Sequence, residues 1–137
     1  MNHAAYQQAT SAYRTAAVTT SPLAVIVMLY DAALVSLARS KADVEQKRLD
    51  QAFGHLQRAT TILRGLCHSL DFEQGGAVAE RLRDTYLALI LSALHAFNRP
   101  DAASQLQKLI VAITGLRDAW IDVRAQLSKP KASAALK

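Results

Sequence analysis

A chain of 137 residues has room for one domain with a modest core, and with 51% apolar and 20% charged residues it groups with soluble globular proteins, not disordered ones. Five Gly, three Pro and an abundance of Ala and Leu point to an all-α fold, and the single Cys67 excludes an intramolecular disulfide. A net charge of +5 permits anionic partners, but Arg39, Arg58, Arg64, Arg81, Arg99, Lys108 and Arg117 are scattered, mostly beside acids, so no nucleic-acid partner is expected.

No leader pattern of charged, apolar and small residues opens the chain, and the longest apolar runs, SPLAVIVMLYDAALVSL and YLALILSALHAF, read as too short or too interrupted to span a bilayer. A cytoplasmic protein without membrane insertion is expected.

Residues 1–20 are rich in Ala, Ser, Thr and Gln, with Tyr6 and Tyr13 as the large apolar side chains, and read as a mobile arm able to cap a surface through those rings. A helical bundle domain follows over 21–128. Ser21 is placed as N-cap and Pro22 as the first helical residue of a helix reaching about Lys41. A polar connection leads to a second helix ending near Leu70, whose core face is Leu49, Phe53, Leu56, Thr60, Leu63, Cys67 and Leu70.

The stretch LDFEQGG, residues 70–76, reads as a tight interhelical turn: glycines supply unusual backbone angles, while Asp71 and Glu73 satisfy nearby N–H groups. The third helix is expected from Gly75–Ala77 to NRPD, where Pro100 stops it. Asp101 then caps a fourth helix with the stripe Leu106, Leu109, Ile110, Ile113, Leu116, Trp120, Val123 and Leu127. Residues 129–137 read as a disordered basic tail. Short connections between helices of similar length favour an antiparallel four-helix bundle.

Two helices carry more apolar surface than a bundle consumes. From Tyr86 to Phe97 the third is apolar around most of its circumference, broken by Ser92 and His95; in the first, Val25, Met28, Leu29 and Val35 point away from the core stripe. One reading is that these are simply central helices covered by the arm. The other is a groove for a partner's amphipathic helices, with the arm as a removable lid. Leu87, Ile90, Leu91 and Leu94 would form one wall, Val25, Met28 and Leu29 the other, and Tyr6 would occupy part of it in the free protein. Self-association through the third helix, giving a homodimer that serves as an adaptor, is the competing reading.

Catalytic chemistry has little to work with. His3, His55, His68 and His95 stand outside any HExxH, CxxC or paired Glu-x-x-His motif, and Gly75–Gly76 lacks a phosphate-loop frame. No catalytic residue, metal or cofactor is expected, hence no enzyme.

The order AYQQ, SPLAVIVMLYDAAL, LDFEQGGAVAERL and LRDAW, from about Tyr6 to Trp120, resembles the FliS family of flagellin-specific secretion chaperones. Each motif alone is weak; the order and spacing are specific. The resemblance implies an antiparallel helical bundle, cytoplasmic and non-catalytic, whose N-terminal segment caps an apolar surface. It implies binding of the disordered C-terminal region of flagellin, prevention of premature polymerisation, and delivery to the flagellar type III export gate through FlhA. Tyr6 matches the N-terminal tyrosine, Ser21 and Pro22 the helix start, and Leu29, Tyr30 and Asp31 the LYD signature. Leu70, Asp71, Glu73, Gly75 and Gly76 match the turn, and Leu116 to Trp120 the last signature. Ala32 stands where relatives usually carry Gly, the third helix is greasier than the family's, and the charge is basic where many relatives are acidic.

Overall fold

The computed structural model describes residues 15–128; Tyr6, Tyr13 and the basic tail 129–137 lie outside the described residues. Four long helices make up the bundle: α1, Leu23–Glu45; α2, Leu49–His68; α3, Phe72–Ala96; and α4, Ala102–Ser128.

The start of α1 is set by backbone and not by a side-chain cap. Pro22 takes the N-cap position with an extended ψ of 146°, and its carbonyl accepts from the N–H groups of Val25 and Ile26 at 3.0 and 3.1 Å. Ser21, expected as the cap, instead donates its N–H to the Thr19 hydroxyl at 3.2 Å.

At its other end α1 runs on past Lys41 to Glu45, because the sequence there builds a strong stop. Lys47 adopts φ 60°, letting its N–H reach Val44 C=O and the Arg48 N–H reach Asp43 C=O at 2.8 Å, a Schellman closure with Lys where Gly is usual. The buried Asp43 carboxylate accepts from Arg48 Nε and Nη2 at 3.0 and 2.8 Å, and His55 Nε2 lies 3.5 Å from its other oxygen. Ser40 adds a bond from its hydroxyl to Ala52 C=O at 2.8 Å, so α1 and α2 are stapled near their shared end.

The core face of α2 is Ala52, Leu56, Ala59, Thr60, Leu63 and Leu66. Leu49 and Phe53, expected at the top of that stripe, are exposed, and Cys67 is half-buried. Small alanines take the inner positions and let α1 approach closely.

The stretch 70–76 is a capped turn followed by a kink. Asp71 accepts the Gln74 N–H at 3.0 Å, so α3 begins at Phe72 and not at Gly75–Ala77. Gly76, at φ 53° and ψ −128°, then breaks the helix internally, a conformation that glycine alone adopts readily. Leading into α1, Thr19 forms an antiparallel bridge with Leu70, and Val18 is fully buried. The last residues of the expected arm are therefore part of the packed fold.

Between α3 and α4 the Arg99 and Ala102 N–H groups close turns onto Ala96 and Arg99 carbonyls around Pro100. Gln105 Nε2 and Arg99 Nε donate to the Asp101 carboxylate at 2.8 and 3.0 Å, and these bonds hold its pKa below the usual value.

α1 packs on α2 and α4, and α3 packs on the same two helices, so α1 and α3 face each other across the bundle. This all-α architecture matches the expectation from composition. At 23 residues α1 is, however, long and apolar enough to span a bilayer, which the interrupted look of its sequence hides. Its inner face is instead occupied by the core, with Ile26, Tyr30, Ala33 and Leu37 buried beside Ser40 and Asp43, whose polar groups bond within the α1–α2 hairpin.

Candidate partner-binding surface

At the centre of the bundle three aromatic side chains share one polar contact. The Tyr30 and Tyr86 hydroxyls are 2.6 Å apart, and Trp120 Nε1 donates to the Tyr30 hydroxyl at 3.1 Å. The network thereby joins α1, α3 and α4. Burial raises both phenols above their ordinary pKa, so each stays neutral and able to donate. Among the described residues no buried side-chain nitrogen or oxygen lacks a partner. Next to Tyr30 in sequence, Asp31 accepts from Arg117 Nε, pinning α1 to α4 and raising the guanidinium's pKa.

That inner order leaves specific apolar side chains outside. On α3, Leu87 and Leu91 are 47% and 56% exposed, and Leu94 is half-buried against the core. Ile90, expected beside them, is 6% exposed and belongs to the core, because it lies on the same side of the helix as Tyr86. The exposed leucines run at three- and four-residue steps into Phe97, whose ring stacks obliquely on Phe53 of α2 with centroids 5.2 Å apart. The α3 row of Leu87, Leu91, Leu94 and Phe97 thus meets α2 at Phe53.

The other flank of α3 faces α4 over an apolar cavity of about 130 Å³. Val78 and Leu82 line it from α3, Leu116, Trp120 and Val123 from α4, and Thr15 closes it from the N-terminal side.

On α1, Val25 and Met28 are 40% and 66% exposed, while Leu29 is half-buried and packed on the core. They do not adjoin the α3 leucines, since α1 and α3 stand across the bundle from one another. Tyr6 lies outside the described residues. Helical spacing assigns Phe53 to the core and so misses its place on the seam; its position at the flank of the α2 stripe, beyond Leu56 and Thr60, is the signal for that role. Among the described residues no group of three or more His, Cys, Asp or Glu is placed to hold a metal ion.

The model of the family described as Flagellar protein FliS matches residues 2–127. The chain belongs to the FliS family. It is 32% identical over 103 residues to the Flagellar secretion chaperone FliS of Campylobacter jejuni subsp. jejuni, covering 75% of this chain and 80% of that protein. Identity to the Flagellar secretion chaperone FliS of Salmonella typhimurium is 31% over 119 residues, covering 86% and 84%. Membership makes this FliS-family chain a chaperone of flagellar biogenesis and not an enzyme.

The motifs that carry the FliS resemblance meet in space. LYD supplies Tyr30 to the central network and Asp31 to the α1–α4 ion pair; LRDAW supplies Arg117 to that pair, Trp120 to the network and Leu116 to the cavity wall.

Proposed function

We propose that this FliS-family chaperone binds the disordered C-terminal region of flagellin in the cytoplasm, keeps the subunit from polymerising, and hands it to the type III export gate through FlhA. The observation that carries the reading is the exposed apolar stripe of α3, Leu87 and Leu91 continued by Leu94 and the Phe97–Phe53 pair, on a chain whose family consists of flagellar secretion chaperones. An apolar face of this kind on a soluble bundle suits an amphipathic helix better than it suits water.

Client residues fold as they bind, and apolar burial of roughly 1,000–3,000 Å² offsets an ordering cost of about 2–5 kcal/mol. Leu87, Leu91 and Leu94 form one contact, with Ile90 as the floor beneath them; Val25, Met28 and Leu29 form a second. Because these lie on helices across the bundle from each other, one client segment reaches both by passing around the bundle. Tyr6 covers part of the surface in the free protein and leaves on binding.

Seeded polymerisation of full-length flagellin, followed by light scattering, tests this reading. Suppression that saturates near equimolar chaperone is expected, and Leu91→Asp is expected to lose it. Unchanged filament growth in excess chaperone would overturn the reading. Sedimentation of the chaperone alone addresses the competing adaptor: a stable homodimer that resists client would favour it.

A further inference from the structure

Ion pairing sorts the cations of the bundle into two groups. Lys41, Arg48, Arg83, Arg99 and Arg117 each pair with an acid. Arg58 and Arg64 of α2 are exposed and pair with no acid among the described residues. The reason lies in the sequence: residues 51–70, which hold most of α2, and residues 85–100, which hold the second half of α3, contain no Asp or Glu. The acids that bound this region are occupied or distant. Asp84 pairs with Arg83, Asp101 accepts from Arg99 and Gln105, and Asp71 accepts from the Gln74 N–H. Asp50 stands in the first turn of α2, about four turns from Arg64.

This acid-free surface is the one that carries the exposed leucines. Arg64 lies about three turns from Phe53, on the same flank of α2, the flank that meets α3 at Phe97. Since α2 and α3 are consecutive and antiparallel, the same distance back along α3 from Phe97 is the level of Leu87. Arg64 therefore stands on the α2 bank beside exposed Leu87, with the uncharged Gln57 between it and Phe53. The other ionisable groups at the surface here are His68 on α2, His95 on α3, and Arg83 one turn before Leu87, which lies over the Phe72 ring with 5.7 Å to its centroid. A second copy of the chain does not suit this face, because an isologous contact sets the same cations against each other.

We propose that the partner of this surface is an amphipathic helix whose edge towards α2 is acidic, with a client carboxylate set against Arg64 while the client's apolar side rests on Leu87, Leu91 and Leu94. The inference deepens the proposed chaperone function and rests on it. The two parts of the surface have different tasks. Apolar burial on α3 supplies most of the affinity. The unpaired cation at its edge steers encounter, and it fixes which edge of the client helix faces α2, since the reverse seating leaves Arg64 without a partner and turns the client's acids away from it. Arg64 is thus a specificity-determining residue.

Stopped-flow association of the full chain with a fluorescently labelled synthetic C-terminal segment of flagellin tests this, alongside the same segment with every Asp and Glu replaced by Asn and Gln. With the unaltered segment, the association rate is expected to fall by about tenfold from low to high NaCl. At low salt Arg64→Glu is expected to slow association by about fivefold or more and to flatten the salt dependence, and the neutralised segment to bind slowly whichever residue stands at 64. Arg124→Glu, which makes the same change in net charge on α4, is expected to alter the rate by less than about twofold. Equal slowing by Arg64→Glu and Arg124→Glu would overturn the assignment to Arg64. Binding that Leu91→Asp abolishes but that ignores Arg64 and the client's acids would overturn this inference and leave the chaperone reading standing. No binding by the unmutated chain would overturn both.

Discussion

The hydroxyls of Tyr30 and Tyr86 meet 2.6 Å apart, joining two helices that otherwise face each other across the bundle, and Trp120 adds its N–H to the Tyr30 oxygen. Removing different members orphans different groups. Tyr30→Phe leaves both the Tyr86 hydroxyl and the Trp120 N–H buried without that partner, whereas Tyr86→Phe leaves only one hydroxyl proton unplaced. At about 1–3 kcal/mol per orphaned group, Tyr30→Phe is expected to destabilise more than Tyr86→Phe, and the double variant less than Tyr30→Phe alone. Urea unfolding of the three variants checks this order.

Alkaline stability should report the same pair. Both phenols are raised above their ordinary value of 10.0 by burial, so the folded state keeps protons that the unfolded chain releases. Their contribution is fully present below about pH 10 and is lost as pH rises beyond it, by up to about 1.4 kcal/mol per pH unit for each tyrosine. Unfolding free energies from pH 8 upward are expected to be flat to about pH 10 and then fall, with a shallower fall in the double Phe variant. An equal fall in both proteins would contradict the assignment.

The α1–α2 hairpin offers opposite predictions at adjacent sites. Lys47 holds φ 60°, where glycine is unstrained, so Lys47→Gly is expected to stabilise by about 0.5–1 kcal/mol. Asp43→Ala removes the buried acceptor of Arg48 and is expected to cost about 1–3 kcal/mol. Thermal melts of the two variants, compared with the parent, should move in opposite directions.

Ile90 and Leu91 are neighbours in sequence with opposite fates in the fold, one in the core and one exposed. Leu91→Asp is expected to change unfolding free energy by no more than about 0.5 kcal/mol, as for other surface positions. Ile90→Asp buries a charge without a partner and is expected to abolish cooperative unfolding. Circular dichroism melts distinguish the two outcomes.

Much of this architecture is legible in the residues themselves. Apolar spacing marks the four helices, Pro100 marks the α3–α4 turn, and the unspent leucines of the third helix announce an exposed apolar face. What escapes is long-range. The ring order that puts α1 across from α3 depends on how four amphipathic stripes close on one another, and so the expected single groove between those helices becomes two separate surfaces. The double glycine looks like an interhelical turn because the contact that requires Gly75, the close packing of Val18, lies far away in sequence, while Gly76 is required by its own positive φ. Likewise α1 outruns Lys41 because Arg48 reaches back to Asp43, a contact that helix propensity does not encode.

Calorimetric titration of a synthetic C-terminal flagellin segment into the chaperone and into Leu91→Asp, side by side in moderate salt, tests the central claim most directly. The expected result is saturable binding near one to one, with a negative heat-capacity change and a gain of helical circular dichroism, weakened about tenfold or more by the substitution. No binding by a well-folded sample, or equal affinity for both proteins, would contradict the claim that the exposed α3 stripe receives the client.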